Sequence, residues 1–287
     1  MLPYLAEHYG NPSSSHIYGR TMRAAVETAR ERVASLIDCE PGEVFFTSGG
    51  TEANNLAIRG VAEANPGRRH VVTSVIEHPA ASEPCAWLET QGYRVDRVPV
   101  DETGTVRLSA IGPKLGNETA LLTIMHANSE TGSLQPIRPI SRLAHDVGAL
   151  MHSDAAQSLG KIPVSVQQEE IDLLSVAGHK LYAPQGVGAL FVRTGTRIKP
   201  VLLGAGHERG LRPGTENVAS IVGLGAACKV AERDLLQESQ RVSRLRDHLW
   251  TRLQEKIPGL DFNGHPLQRL PNTLSLLFPG VSGDALL

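Results

Sequence analysis

The sequence has almost no surplus of charge of either sign. Its 28 lysines and arginines face 30 aspartates and glutamates over 287 residues, a formal net charge of −2. A balance that close gives no electrostatic footprint for nucleic acid. No apolar run approaches the roughly 18 residues of a membrane helix. The start, MLPYLAEHYGNPSSSH, has neither the basic segment nor the unbroken apolar stretch of a secretory leader. Membrane and secreted classes are therefore not expected. Cysteine is scarce: Cys39, Cys85 and Cys228 are odd in number and widely separated, which fits neither a disulfide framework nor a zinc knuckle. A reducing cytoplasm is the expected setting. There is no GxxxxGK nucleotide loop, internal repeat or low-complexity tract. The eleven histidines suggest no metal centre either, because HSD at residues 152–154 is followed by no third ligand at helical or short-loop spacing. His126, His145 and His152 read as structural or surface histidines.

What is present is core material, 41% hydrophobic against 20% charged, as in a soluble globular protein. In RTMRAAVETARERVASLI, Met22, Ala25, Ala29, Val33, Leu36 and Ile37 fall on one apolar helical face that stops near Asp38. VFFT follows as a strand, SGGT as a turn, and EANNLAIRGVAEA as a helix beginning near Thr51. The alternation continues through HVVTSVI, ASEPCAWLETQ, YRVDRVPV, TALLTIMHA, IRPISRLAHDVG and ALMHSDA. Strands separated by helices predict a doubly wound α/β sheet with parallel strands. IDLLSVAGHK and GVGALFV add two strands, and the periodic stretch from Val218 to Lys256 predicts one or two helices. The charged composition of residues 231–247 suggests a division into a large unit, 1–235, and a small C-terminal unit, 236–287. Both ends read as interrupted elements.

Three places carry chemistry. Ser48-Gly49-Gly50-Thr51 lies between a strand and a helix N-terminus, where free N–H groups and the helix dipole favour a phosphate. The same turn also fits an ordinary loop. Asp154 closes a strand, at the sheet edge where ligand groups collect, and equally suits a helix cap. Lys180 follows an apolar strand, placed either as a desolvated amine for an aldehyde or as a common surface lysine. Taken together, a phosphate cradle, a carboxylate for a pyridinium nitrogen and an amine for an aldehyde are what pyridoxal 5'-phosphate asks of a protein.

The stretches GNPSSSHIYGR, FTSGGTEANNLAIRG, EHPA, MHANSETG, HSDAAQSLGK, AGHKLYAPQGVGAL and ERGLRPGTENV, in this order, resemble the cysteine desulfurases of the class V aminotransferase group. The resemblance implies a fold type I pyridoxal-phosphate enzyme, with a mainly parallel seven-stranded sheet between helices and a partial small α+β domain. It implies that Lys180 holds the cofactor's aldehyde, that Asp154 partners the pyridine nitrogen, and that Gln157 donates to the phenolic oxygen. His78 matches the ring that stacks on the cofactor and is a candidate acid or base. Asn128 matches a residue near the substrate carboxylate and a cofactor oxygen. Gly50, Thr51 and His179 match the phosphate cradle. Thr215 matches a phosphate ligand given by the other subunit, which implies a homodimer.

The family reaction removes sulfur from L-cysteine. The lysine takes the α-proton, a mobile cysteine takes the sulfur as a persulfide for iron–sulfur or thiolation pathways, and alanine remains. Against that pattern, an N-A-T-T-like segment, the loop with the nucleophilic cysteine and a carboxylate-binding arginine are not found, and Ala177 stands where many relatives have serine. Cys39, Cys85 and Cys228 read as small apolar residues rather than substitutes. The expectation is a desulfurase fragment that binds the cofactor but has little activity as it stands. Alternatives are a selenocysteine lyase, another lyase or aminotransferase of the group, or a non-catalytic dimerising homologue.

Overall fold

The computed structural model describes residues 1–286; Leu287, last residue of the expected 236–287 unit, lies outside the described residues. A short helix, α1 (Leu2–Ala6), leads to α2 (Ile17–Ile37). His16 starts α2 by accepting the Gly19 N–H at Nδ1, 3.3 Å away, and Asp38 ends it with a left-handed φ of 60°. A short polar side chain tolerates that conformation. The expected apolar face is the buried one, with Met22, Val26, Ala29 and Val33 against the core.

Strand–helix alternation then builds the sheet. β1 (Val44–Thr47) precedes α3 (Gly50–Ala64), and β2 (His70–Ser74) precedes α4 (Pro79–Thr90) and β3 (Arg94–Val98). A single turn, α5 (Leu108–Ile111), leads to β4 (Thr119–Thr123), α6 (Ile137–Asp146) and β5 (Leu150–Asp154). β6 (Leu173–Ala177) and β7 (Gly188–Val192) complete seven strands in the order β1-β7-β6-β5-β4-β2-β3. Every pairing is parallel except those of β7, which lies antiparallel between β6 and β1. Two reversals restore direction, so β1 runs the same way as the parallel set. The carboxyl ends of β1, β6, β5, β4 and β2 therefore share one sheet edge, the usual place for a ligand in an open α/β sheet.

Side chains that alternate along each strand divide the core into two layers. Val71, Leu121, Leu173 and Leu190 pack with Leu56, Val61 and Leu88 of α3 and α4. Their chain neighbours Val72, Leu122, Leu174 and Phe191 face the other way, toward Val33, Ile140 and Leu224. Leu224 belongs to α7 (Val218–Gln254), one continuous helix that spans the 235/236 position. A two-stranded sheet, β8 (Asp261–Asn263) with β9 (Ser275–Leu277), follows it. Among the described residues no helix is long and apolar enough to cross a membrane.

Candidate active site

At the shared sheet edge lies a cavity of about 290 Å³. Gly50 and Thr51 enter it from the first turn of α3, whose leading N–H groups have no partner inside the helix. A Cβ on Gly50 would come within 3.1 Å of the Ala177 side chain, so glycine keeps the wall open here. The turn before them is braced: the Glu52 carboxylate accepts the Ser48 N–H at 2.7 Å and Arg212 Nε at 2.8 Å. Burial works against the charge on Glu52, but these donors outweigh it and hold the carboxyl below its usual range.

Asp154, the last residue of β5, is buried at the cavity floor. Its Oδ1 accepts the Ala156 N–H at 2.9 Å and its Oδ2 accepts Asn54 Nδ2 at 2.7 Å. Burial pushes its carboxyl up, while those donors and His78 work in the opposite direction. Beyond Asp154, Gln157 also lines the cavity. Its Oε1 accepts Lys161 Nζ at 3.2 Å, which leaves the NH2 end of the amide free as a donor. Burial and the charge of Lys180 push the Lys161 ammonium down to about 8.

The opposite wall comes from β6. Ala177 ends that strand, and His179 and Lys180 sit in the 3-10 turn Gly178–Leu181 just after it. Lys180 also borders a larger apolar groove of about 1080 Å³, which Lys161 and α7 help to line. From β2, the chain passes through Glu77 to His78, which caps α4. His78 Nδ1 accepts the Ala80 N–H at 3.1 Å, so a neutral ring carries its proton on Nε2. Glu77 accepts Ser74 Oγ at 2.5 Å and the Met125 N–H at 3.0 Å, tying the ends of β2 and β4 together. Burial, reinforced by Asp154, pushes Glu77 up to about 8 against those donors.

Seven of the expected residues thus share the cavity wall: Gly50, Thr51, His78, Asp154, Gln157, His179 and Lys180. Asn128 and Thr215 are placed differently. Asn128 is buried between Ala127 and Ser129, which do line the cavity. Its Oδ1 accepts the N–H groups of Glu130 and Thr131, both at 2.9 Å. Thr215 is exposed on a loop outside the cavity wall. That loop is anchored by Arg212 on Glu52 and by a buried bidentate pair, Glu208 with Arg30, whose two contacts are both 2.8 Å. Sequence reasoning missed Asn54, Glu77 and Lys161, although each lies inside a quoted motif. A polar residue one turn into an apolar helix was the available signal for Asn54.

None of Cys39, Cys85 and Cys228 lines the cavity. Burial pushes all three thiols up to about 12. A thiol held that high is not a ready nucleophile at neutral pH.

Residues 1–287 match the aminotransferase class-V family. A cysteine desulfurase of Nostoc sp. is 46% identical over 287 residues, which are 100% of this chain and 72% of the relative. The cysteine desulfurase IscS of Dictyoglomus turgidum is 43% identical over 288 residues, covering 100% of this chain and 73% of the relative. Among solved structures, a NifS-like protein superposes with a TM-score of 0.95 at 38% identity, covering 99% of this chain and 78% of its own. SspA in complex with cysteine superposes with a TM-score of 0.87 at 33% identity, covering 99% of this chain and 79% of its own.

Proposed function

The chain belongs to the aminotransferase class-V family, and from that premise we propose that it removes sulfur from L-cysteine to leave L-alanine, as a cysteine desulfurase with pyridoxal phosphate as its cofactor. The observation that carries this reading is the convergence, in one cavity, of an amine, a buried carboxylate and a helix N-terminus: Lys180, Asp154 and the Gly50–Thr51 turn. The donor set fits the group. The Gly50 wall has no Cβ to fill it, and among the described residues Gln157 has an uncommitted amide NH2 and Asn54 Oδ1 is a buried polar atom without a partner.

Pyridoxal phosphate, when bound, supplies an aldehyde for the substrate's amino group and an electron-poor ring that accepts electron density from the bonds at the substrate's α-carbon. Gly50, Thr51 and His179 would bind its phosphate, with the α3 N–H groups and dipole matching the anion. The Asp154 carboxylate would accept the ring N–H and keep that proton in place. Gln157 would donate to the phenolic oxygen through its amide, held in orientation by Lys161. His78 would lie against the ring with its Nε2 proton available to substrate atoms. Lys180 would hold the aldehyde between turnovers and, once released, take the α-proton. Asn128 would act near the substrate carboxylate through its Nδ2 edge, since Oδ1 is committed to the loop. The sulfur would pass to a thiolate other than Cys39, Cys85 and Cys228, whose burial keeps them protonated. We also propose a cytoplasmic homodimer in which Thr215 serves the partner's phosphate, with the sulfur destined for an acceptor protein of iron–sulfur or thiolation pathways.

Borohydride reduction of the loaded protein followed by peptide mapping tests the assignment. The cofactor should be fixed to Lys180, on the peptide that also contains His179. Fixation at Lys161, with Lys180 unmodified, would move the amine's role to the neighbouring lysine.

A further inference from the structure

Asn54 lies one turn into α3 and is 0% exposed. A buried amide is costly unless it is bonded, and asparagine is a weak helix former. Neither packing nor propensity explains it, because its neighbours Ala53, Leu56 and Ala57 form an apolar layer that a leucine would join. Among the described residues its only side-chain hydrogen bond runs from Nδ2 to Asp154 Oδ2, at 2.7 Å, and its Oδ1 has no partner. Turning the amide over would set two acceptor oxygens against each other, so the carboxylate itself fixes the orientation.

We infer that Asn54 is a positioning residue for Asp154: its N–H keeps the buried carboxylate ionised and turned so that the free lone pairs face the cavity, where a cofactor ring N–H is received. The inference rests on the pyridoxal-phosphate reading of the cavity. Asp154 has one other donor, the Ala156 N–H on Oδ1. The ionisable groups set toward it are His78 at the start of α4, which favours its charge, and Glu77 in the preceding turn, which opposes it. Lys180 lines the same cavity from the turn after β6. Without Asn54, a charge-assisted hydrogen bond is lost inside the protein, and the shared proton moves from the ring nitrogen toward the carboxylate.

Two NMR readouts test this on parent, Asn54→Leu and Asn54→Ala. In the apo protein with isotope-labelled aspartate, Asp154 being assigned by its loss in Asp154→Asn, both substitutions should raise the carboxyl's proton affinity by about tenfold, the equivalent of one charge-assisted hydrogen bond. In the loaded protein with a ring-nitrogen label, the parent signal should report a protonated nitrogen and the variants a partly deprotonated one. Alanine fits the site without added volume and serves if the leucine chain does not fold. An unchanged Asp154 titration in folded variants overturns the inference even when the cofactor binds normally. A parent that titrates as expected but takes up no cofactor instead overturns the pyridoxal-phosphate reading, and with it the ring-nitrogen role of this pair.

Discussion

At the scale of single residues, burial raises two acids, Asp154 and Glu77, near a Lys180 and a His78 that are exposed, and Glu77 gives the most direct consequence for pH. Its folded carboxyl titrates near 8, against 4.5 in the unfolded chain. A proton is therefore held more tightly in the folded state, and the stability from this group is fully present below pH 4.5 and lost as pH rises through about 8. His152 complicates the lower part of that window. Buried and neutral, it titrates near 3 rather than 6.5, so it adds stability as pH rises toward 6.5. The two effects oppose each other up to pH 6.5. Above it Glu77 is joined by His145, which Asp172 holds above its usual range, and opposed by Lys161, which burial pushes down to about 8. Glu77 should take up to about 2 kcal/mol from the parent between pH 6.5 and 8, so Glu77→Gln should fall less steeply there than the parent, in denaturant unfolding at a series of pH values. An equally steep profile in the variant would assign the dependence to another group. The sequence pointed to His78 in EHPA but not to Glu77, because its role comes from Ser74 and Met125, and Met125 lies 48 residues away.

At the scale of elements, the packing of α2 on α7 sets up a contest between helix propensity and close approach. Glycine inside a helix costs about 1 kcal/mol relative to alanine, so Gly225→Ala would ordinarily stabilise α7. Here the new Cβ would lie 2.7 Å from the Ala29 Cα, a backbone atom that cannot turn aside. Overpacking of that kind costs roughly 1–3 kcal/mol and should prevail. Thermal unfolding of Gly225→Ala should show a lowered Tm; a raised one would mean that the two helices separate without penalty. The helix and strand periods of these elements were legible in the sequence, including the α2 face and its stop at Asp38. The reversed direction of β7 was not, because GVGALFV reads as an apolar strand whichever way it runs. The charged stretch at 231–247 reflects where burial ends along α7, whose last buried residue is Cys228. We retain 236–287 as a proposed second unit, the exposed half of α7 joined to β8–β9, where Trp250 meets Phe262 edge-on at 5.2 Å.

At the scale of the whole molecule, seven expected residues line one cavity while Thr215 stands outside it on an anchored, exposed loop. The family resemblance already assigns Thr215 to the phosphate of the other subunit, and its place outside its own chain's cavity wall supports that proposal. The anchors matter to that placement: Arg212–Glu52 and the buried Glu208–Arg30 pair hold the loop against its own α3 and α2, so Thr215 is displayed on an anchored loop. A two-fold dimer with composite sites makes a definite arithmetic prediction. If each site takes Lys180 from one chain and Thr215 from the other, a heterodimer of a Lys180→Ala chain with a Thr215→Ala chain has one site with both lesions and one with neither. Co-expressed with different tags and purified through both, it should show about half the parent's borohydride-fixable cofactor, bound with parental affinity, provided the two sites act independently. Sites built within single chains predict otherwise: each retains one lesion, and no fixable cofactor binds with parental affinity. That result would confine Thr215 to its own subunit and remove the reason for a shared site.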